Sequence, residues 1–277
     1  MRGPLAGSSF TFSLTMDIEQ LRSRLQSIAN WLLLSRCGLA FKWLWRHVAP
    51  PIVFSRVIFG NKVFFNLRDN LFFLYSTRKH LETHEGIDAI LAGLPPGSRV
   101  WDVGCNVGIY ALHAARLGHN VVAFDLSPKA IQMVQKSASE NNLRITCIPR
   151  ALHVWPEVYY APRTAYAGNK LTSMGHSSRL STSITWMLAA EQFGIPDFIK
   201  LDIEGLETEF LKNPSFCRWI RNNGILLEVE VHNTDARIAL EKSFSNFRML
   251  SNNNFLIVPL PFGRQNKSSN LESVNVR

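Results

Sequence analysis

Val100-Trp101-Asp102-Val103-Gly104-Cys105-Asn106-Val107-Gly108 fixes how the rest of the chain is read. A short β-prone run passing into a loop bracketed by glycines is the strand-to-helix junction of an open α/β sheet, whose carboxyl edge is where such sheets bind ligands. Gly104 and Gly108 let the backbone turn tightly and, on this reading, let an adenosine-sized ligand approach with no Cβ in the way. Asp102 offers hydrogen-bond acceptors and negative charge to a cationic ligand.

The flanking sequence agrees. After the Pro95-Pro96-Gly97 breaker the pattern predicts strand 99–103, helix 108–117, strand 121–125, helix 128–141 and strand 144–148. Gly118 suits a helix C-terminus, and Ser127-Pro128 places an N-cap before a first-turn proline. Two βα units leading into a third strand imply a mostly parallel sheet with helices on both faces, a Rossmann-like α/β fold. Further strands are expected at Val158–Ala161, Phe198–Asp202, Ile225–Val231 and Phe255–Val258. Upstream, Gly60-Asn61 between β-prone runs predicts a hairpin, and Glu82 to Ala92 a helix. The expected organisation is a basic, Trp-rich helical and hairpin extension over 1–79, the main domain over 80–262 and a polar tail over 263–277.

Twenty-one residues after Gly104, the run Val121-Val122-Ala123-Phe124 ends in Asp125-Leu126. A carboxylate at that strand end can accept both hydroxyls of a ribose, the logic shared with dinucleotide sites. A nicotinamide site is therefore the main competitor, but its fingerprint wants G-x-G-x-x-G, whereas Asn106 and Ile109 stand at the second and third glycines. Asn106 would crowd a pyrophosphate, and Asp102 is the wrong charge beside one. S-adenosylmethionine, with cationic amino and sulfonium groups, fits the loop better.

Later in the chain, Asp197-Phe198-Ile199-Lys200-Leu201-Asp202-Ile203-Glu204-Gly205-Leu206-Glu207 reads as a strand exposing Lys200, Asp202 and Glu204 with period 2. Charges on one face of an interior strand are costly unless paired or used by a site. The plainer alternative is a lysine–carboxylate pair that only locks the loop.

Together VWDVGCNVG, FDLSP, Ala151-Leu152, DFIKLDIEGLE and Leu227-Glu228-Val229-Glu230-Val231-His232 resemble the FkbM family of S-adenosylmethionine-dependent methyltransferases over about residues 80–235. That resemblance implies a class I methyltransferase fold and O-methylation of a hydroxyl on a sugar, glycolipid or secondary metabolite. Carried over by motif, it implies that Asp102, Gly104, Asn106, Gly108 and Asp125, with Leu126 and Ala151 beside them, hold the cofactor. Asp202, Glu204, Glu228 and His232 would face the acceptor. His153-Val154-Trp155-Pro156 departs from the small polar turn expected after Ala151-Leu152. His232 is the first choice of general base, since imidazole titrates near neutral pH. Asp202 is the second, acting directly or through a divalent cation such as Mg2+ that lowers the hydroxyl's pKa. Asp202 and Glu204 alone are too few ligands to define such an ion.

Composition narrows the partners. The chain carries 30 Lys and Arg against 21 Asp and Glu, a formal +9, with much of the excess before residue 80. Such a segment is drawn to anionic surfaces or presents a solvated basic face. No nucleic-acid partner is expected, because neither an N-P-P-Y motif nor an RNA-binding signature accompanies the charge. Arg36 and Lys42 interrupt the apolar stretch 28–48, so peripheral membrane contact or docking is expected there in place of a span. A non-catalytic membrane-associated scaffold is the reading from another class. Scattered cysteines and the lack of a secretion signal point to the cytoplasm.

Overall fold

The computed structural model describes residues 52–67, 70, 86–156, 158–162 and 178–259. The Trp-rich stretch 28–48, both tails and the start of the helix expected from Glu82 lie outside the described residues. No helix among the described residues is long and apolar enough to cross a membrane.

The chain opens with a hairpin, β1 (Val53–Ile58) and β2 (Asn61–Asn66), followed by α1 (Ile87–Gly93). Next come β3 (Arg99–Val103), α2 (Ile109–Arg116), β4 (Asn120–Phe124), α3 (Pro128–Glu140) and β5 (Ile145–Ile148). Two small ladders follow: β6 (Leu152–His153) pairs with β9 (Ile184–Thr185), and β7 (Val158–Pro162) with β8 (Ser178–Thr182). Then α4 (Trp186–Phe193), β10 (Phe198–Leu201), α5 (Glu207–Lys212), α6 (Pro214–Asn223), β11 (Leu226–Glu230), α7 (Thr234–Ser243), β12 (Phe247–Met249) and β13 (Asn254–Ile257) complete the order.

The main sheet has seven strands in the order β12-β13-β11-β10-β3-β4-β5. The ladders from β11 through β5 are parallel, whereas β13 runs antiparallel to both β11 and β12. This is the mixed, mostly parallel sheet of the class I methyltransferase fold. The chain starts at β3, steps outward to β5, then returns to the other side of β3 at β10. That reversal opens a crevice at the carboxyl ends of β3 and β10, the switch point where such sheets bind ligands.

Alternation along the strands makes two cores. Val100, Ala123, Phe198 and Leu226 face α1, α2 and α3, contributing with Leu91, Ala111 and Val134 to one cluster. Trp101, Phe124, Ile199 and Leu227 face the opposite layer, α4 to α7. There the aromatic rings interlock: Trp186 lies 4.8 Å from Trp219, and Phe210 meets Phe216 edge-on at 4.9 Å. Pairs of this kind add about 0.5–1.5 kcal/mol each beyond their area burial. The predicted cap holds, since Ser127 Oγ accepts from Ala130 N ahead of Pro128.

Three local features refine the expectations. The hairpin loop is Phe59-Gly60, not Gly60-Asn61: Ile58 pairs with Asn61, and both loop residues have positive φ, 47° and 72°. Phe59 tolerates that conformation with its ring stacked 4.0 Å from His113. The hairpin expected ahead of the main domain also packs onto it. Phe64 N donates to Ser137 Oγ at 3.0 Å, Lys62 N to Asn141 Oδ1 at 2.8 Å, and Val63 and Phe65 are buried with Val107, Leu112 and Ala138. Finally, the strand expected at 158–161 joins β8 outside the main sheet, while β12 joins the sheet although its sequence carries no strong strand signal.

Candidate active site

The loop after β3 is pinned by Gly104 N and Cys105 N, both donating to Phe124 O at 2.9 and 3.0 Å. Its glycines are required by the tight turn, where both have positive φ, and by what stands against them. A Cβ on Gly104 (φ 81°) would lie 1.7 Å from the Asp202 carbonyl oxygen, and one on Gly108 (φ 78°) would meet Val134 at 2.8 Å. Both positions let protein approach protein: Gly104 joins the donor-side loop to the end of β10, and Gly108 seats α2 against α3.

Asp102 is tied to the helix that follows the loop. It is 2% exposed, and its Oδ2 accepts from Ala111 N in the first turn of α2 at 3.0 Å. It holds the loop's helix in place from beneath. Beside it, burial pushes the Cys105 thiol well above its usual range, with the charges of Asp125 and Asp102 adding to the effect.

Asp125 sits at the carboxyl end of β4 and bridges two loops. Its Oδ2 accepts from Asn106 N at 2.8 Å and its Oδ1 from Ser127 N at 2.7 Å. Burial lifts its carboxyl to about 6 against those two stabilising bonds. Asn106 adopts φ 49°, and its side-chain oxygen is buried with no hydrogen-bond partner among the described residues. Leu126 is half-buried next to Asp125, and Ala151 O, beyond β5, accepts from Ile184 N at 2.9 Å. The unexpected His153 is structural: fully buried, it bonds Trp155 N through Nδ1 at 3.1 Å and reaches Glu209 through Nε2 at 3.2 Å.

On the other side of the crevice the strand read as exposing Lys200, Asp202 and Glu204 behaves differently. Asp102, Lys200 and Glu228 are in register across β3, β10 and β11, and so lie in one row on one face of the sheet. Lys200 is 4% exposed and Glu228 0%. Lys200 Nζ bonds Asp202 Oδ2 at 2.9 Å. Glu228 therefore belongs to a buried charge row. The strand ends at Leu201, and Glu204 turns into the site through a left-handed conformation, φ 53°.

His232 is where these segments meet. Its Nδ1 lies 3.1 Å from Glu207 Oε1, and its Nε2 lies 3.8 Å from Asp202 Oδ1, 3.6 Å from Glu204 Oε2 and 3.7 Å from Glu230 Oε1. The Glu207 hydrogen bond raises the imidazole to about 9 despite partial burial, helped by the charges of Glu207, Glu204 and Asp202. That shift favours the protonated ring, which donates to the carboxylates around it. Glu207 and Glu230 were not singled out in the sequence. Glu207 is fully buried and also accepts from Ile203 N and Gly205 N, each at 2.8 Å. Glu230 could have been found, because Glu228, Glu230 and His232 share one period-2 register.

Residues 100–165 match the profile of a family described as "Methyltransferase domain". The ribosomal protein L11 methyltransferase of Bordetella parapertussis is 38% identical over 80 residues, 28% of this chain and 26% of that protein. The ubiquinone biosynthesis O-methyltransferase of Xanthomonas campestris is 38% identical over 50 residues, 18% of this chain and 21% of that protein. The chain thus spans about a quarter of the length of the curated relatives it matches. Trm5b of Pyrococcus abyssi aligns over 74% of this chain and 54% of its own, with 12% identity and a TM-score of 0.44. The matched segment runs from β3 through β7 and is similar to methyltransferase domains.

Proposed function

We propose that this chain transfers a methyl group from S-adenosylmethionine to a hydroxyl of a sugar, glycolipid or secondary-metabolite acceptor, in the manner of the FkbM family it resembles. One observation carries the reading: Asp202, Glu204, Glu230 and His232 converge at the carboxyl ends of β10 and β11, and Asp202 touches the Gly104 loop. A polar, acceptor-rich site stands directly beside the place for a methyl donor.

The donor set fits the cofactor. Asp125 and Asn106 present acceptor oxygens at the loop, which suits ribose hydroxyls and a cationic sulfonium and opposes a pyrophosphate. When bound, S-adenosylmethionine supplies an electrophilic methyl group. Asp125 would accept the ribose hydroxyls, Asn106 would line the loop, and Leu126 and Ala151 would wall the adenine side. Across the crevice, Asp202 Oδ1 is placed to take the proton of an acceptor hydroxyl while Lys200 holds Oδ2. His232, fixed by Glu207, stands among the surrounding carboxylates at the acceptor edge. Orientation of the acceptor oxygen provides much of the acceleration in a displacement of this kind.

Calorimetry with S-adenosylmethionine tests the donor half. Saturable binding to the full chain is expected, weakened at least about tenfold by Asp125→Ala, the loss of a hydrogen bond to a charged group. Absence of binding, or equal binding by the variant, refutes the reading. Labelled methyl transfer to glycan and lipid fractions, with protein and RNA fractions alongside, tests the acceptor half; transfer only to the latter pair would overturn it.

A further inference from the structure

We infer that Asp202, Glu204 and His232 form a site for one first-row divalent cation, of the Mn2+ kind, at the acceptor edge of the sheet, with Glu230 beside it. The site rests on its own geometry; only its role rests on the proposed methyl transfer.

One ligand atom each from Asp202, Glu204 and His232 lies within 4.8 Å of the others. Ligands about 2.1 Å from a shared ion stand about 3.0 Å apart when adjacent and about 4.2 Å apart when opposite. The Nε2 of His232 is 3.8, 3.6 and 3.7 Å from oxygens of Asp202, Glu204 and Glu230. These separations exceed a good hydrogen bond yet fall within the ligand–ligand range.

The surroundings have the form that orients a metal-bound histidine. A ligating imidazole commonly gives its other N–H to a carboxylate, which fixes the ring and raises its basicity. Glu207 does so here from a fully buried position, with its oxygens anchored by Ile203 N and Gly205 N. Asp202 divides its oxygens, Oδ2 to Lys200 and Oδ1 toward His232. The set therefore offers one nitrogen and two carboxylate oxygens, with water to complete the shell. An imidazole donor favours Mn2+ and its transition-metal neighbours over Ca2+, which prefers oxygen alone. An ion held there would polarise an acceptor hydroxyl, the function Asp202 performs less well by itself.

Titration of the full chain with Mn2+, followed by loss of the free-ion electron paramagnetic resonance signal, tests the site without any turnover. One saturable Mn2+ per chain is expected, displaced by Co2+ and not by an equal concentration of Ca2+. His232→Ala and Glu204→Gln should each weaken binding at least tenfold, with folding checked by circular dichroism. Asp202→Asn, close in shape, should show the same loss if His232→Ala does not fold. Were His232 only a counter-charge for the carboxylates, its removal would leave Mn2+ binding unchanged or tighter, and that result overturns the inference. So does the lack of saturable binding by the unaltered chain. Calorimetry with S-adenosylmethionine on the same preparation separates the two proposals: donor binding without Mn2+ binding sinks only the ion site, and the converse sinks only the donor reading.

Discussion

Gly104→Ala, compared with Gly118→Ala, isolates the contact that joins the two halves of the crevice. The two glycines have nearly the same backbone conformation, φ 81° and 86°. An alanine in that left-handed region costs about 1–2 kcal/mol at either site. A methyl at Gly118 meets nothing within 4 Å, so the conformational term is the whole effect there. At Gly104 the new carbon would sit 1.7 Å from the Asp202 carbonyl oxygen, so reaching even 3.0 Å requires a movement of 1.3 Å. That movement pulls on the Asp202 N–H to Val103 O bond, 3.0 Å long, which continues the β3–β10 ladder. Overpacking of backbone on backbone costs about 1–3 kcal/mol and the strained hydrogen bond about 1–3 more. The variants should therefore differ by about 2–6 kcal/mol, or about 4–24 °C in melting midpoint for a domain of this size. Urea denaturation of both, with thermal melts in parallel, measures the difference. Equal destabilisation would show that the close approach carries no weight and would undo the account of why glycine stands at 104.

Three further outcomes follow from the same geometry. With the Asp125 carboxyl at about 6, S-adenosylmethionine binding should weaken about tenfold from pH 7 to pH 5 as the ribose acceptor is protonated. The apo protein responds with opposite sign, because a raised folded-state pKa makes this group's contribution largest below its unfolded value and lost as pH rises through about 6. Calorimetry and melts across pH 5–8 read the two trends, and Asp125→Asn should flatten both. Glu207→Ala strands Ile203 N and Gly205 N and releases His232, so a loss of about 3–5 kcal/mol is expected in urea, with Glu207→Gln intermediate. Ser137→Ala removes the acceptor for Phe64 N; about 1–2 kcal/mol should be lost, and the Phe64 amide should exchange faster while that of Ile199 in β10 follows only global stability.

Central strands were legible because burial on both faces writes them as unbroken apolar runs, as in Val121-Val122-Ala123-Phe124. β12 was not, since a three-residue edge strand with Arg248 and Met249 exposed has too little pattern to stand out. The hairpin was legible to within one residue; its turn shifted because a phenylalanine can enter the left-handed region when a neighbouring ring supports it, which local propensity cannot show. For the crevice, sequence identified Gly104 and Gly108 as backbone requirements but not what would occupy the space of a Cβ. Period 2 rightly placed Lys200 and Asp202 together. It could not show that β10 stops at Leu201, or that Glu204 comes back by a left-handed turn. Least legible was His232, whose chemistry is set by Glu207, a partner 25 positions away with no shared periodicity.

The buried thiol in the donor-side loop gives this crevice a clock. Cys105 can react with an alkylating reagent only as a thiolate in contact with solvent, and in the folded chain burial denies it both conditions. Its labelling rate therefore counts the moments when the loop lifts from β4, breaking the bond from Cys105 N to Phe124 O. A ligand that holds the loop down should slow that labelling in proportion to its occupancy, so mass spectrometry of one residue can score ligands before any methyl acceptor is known.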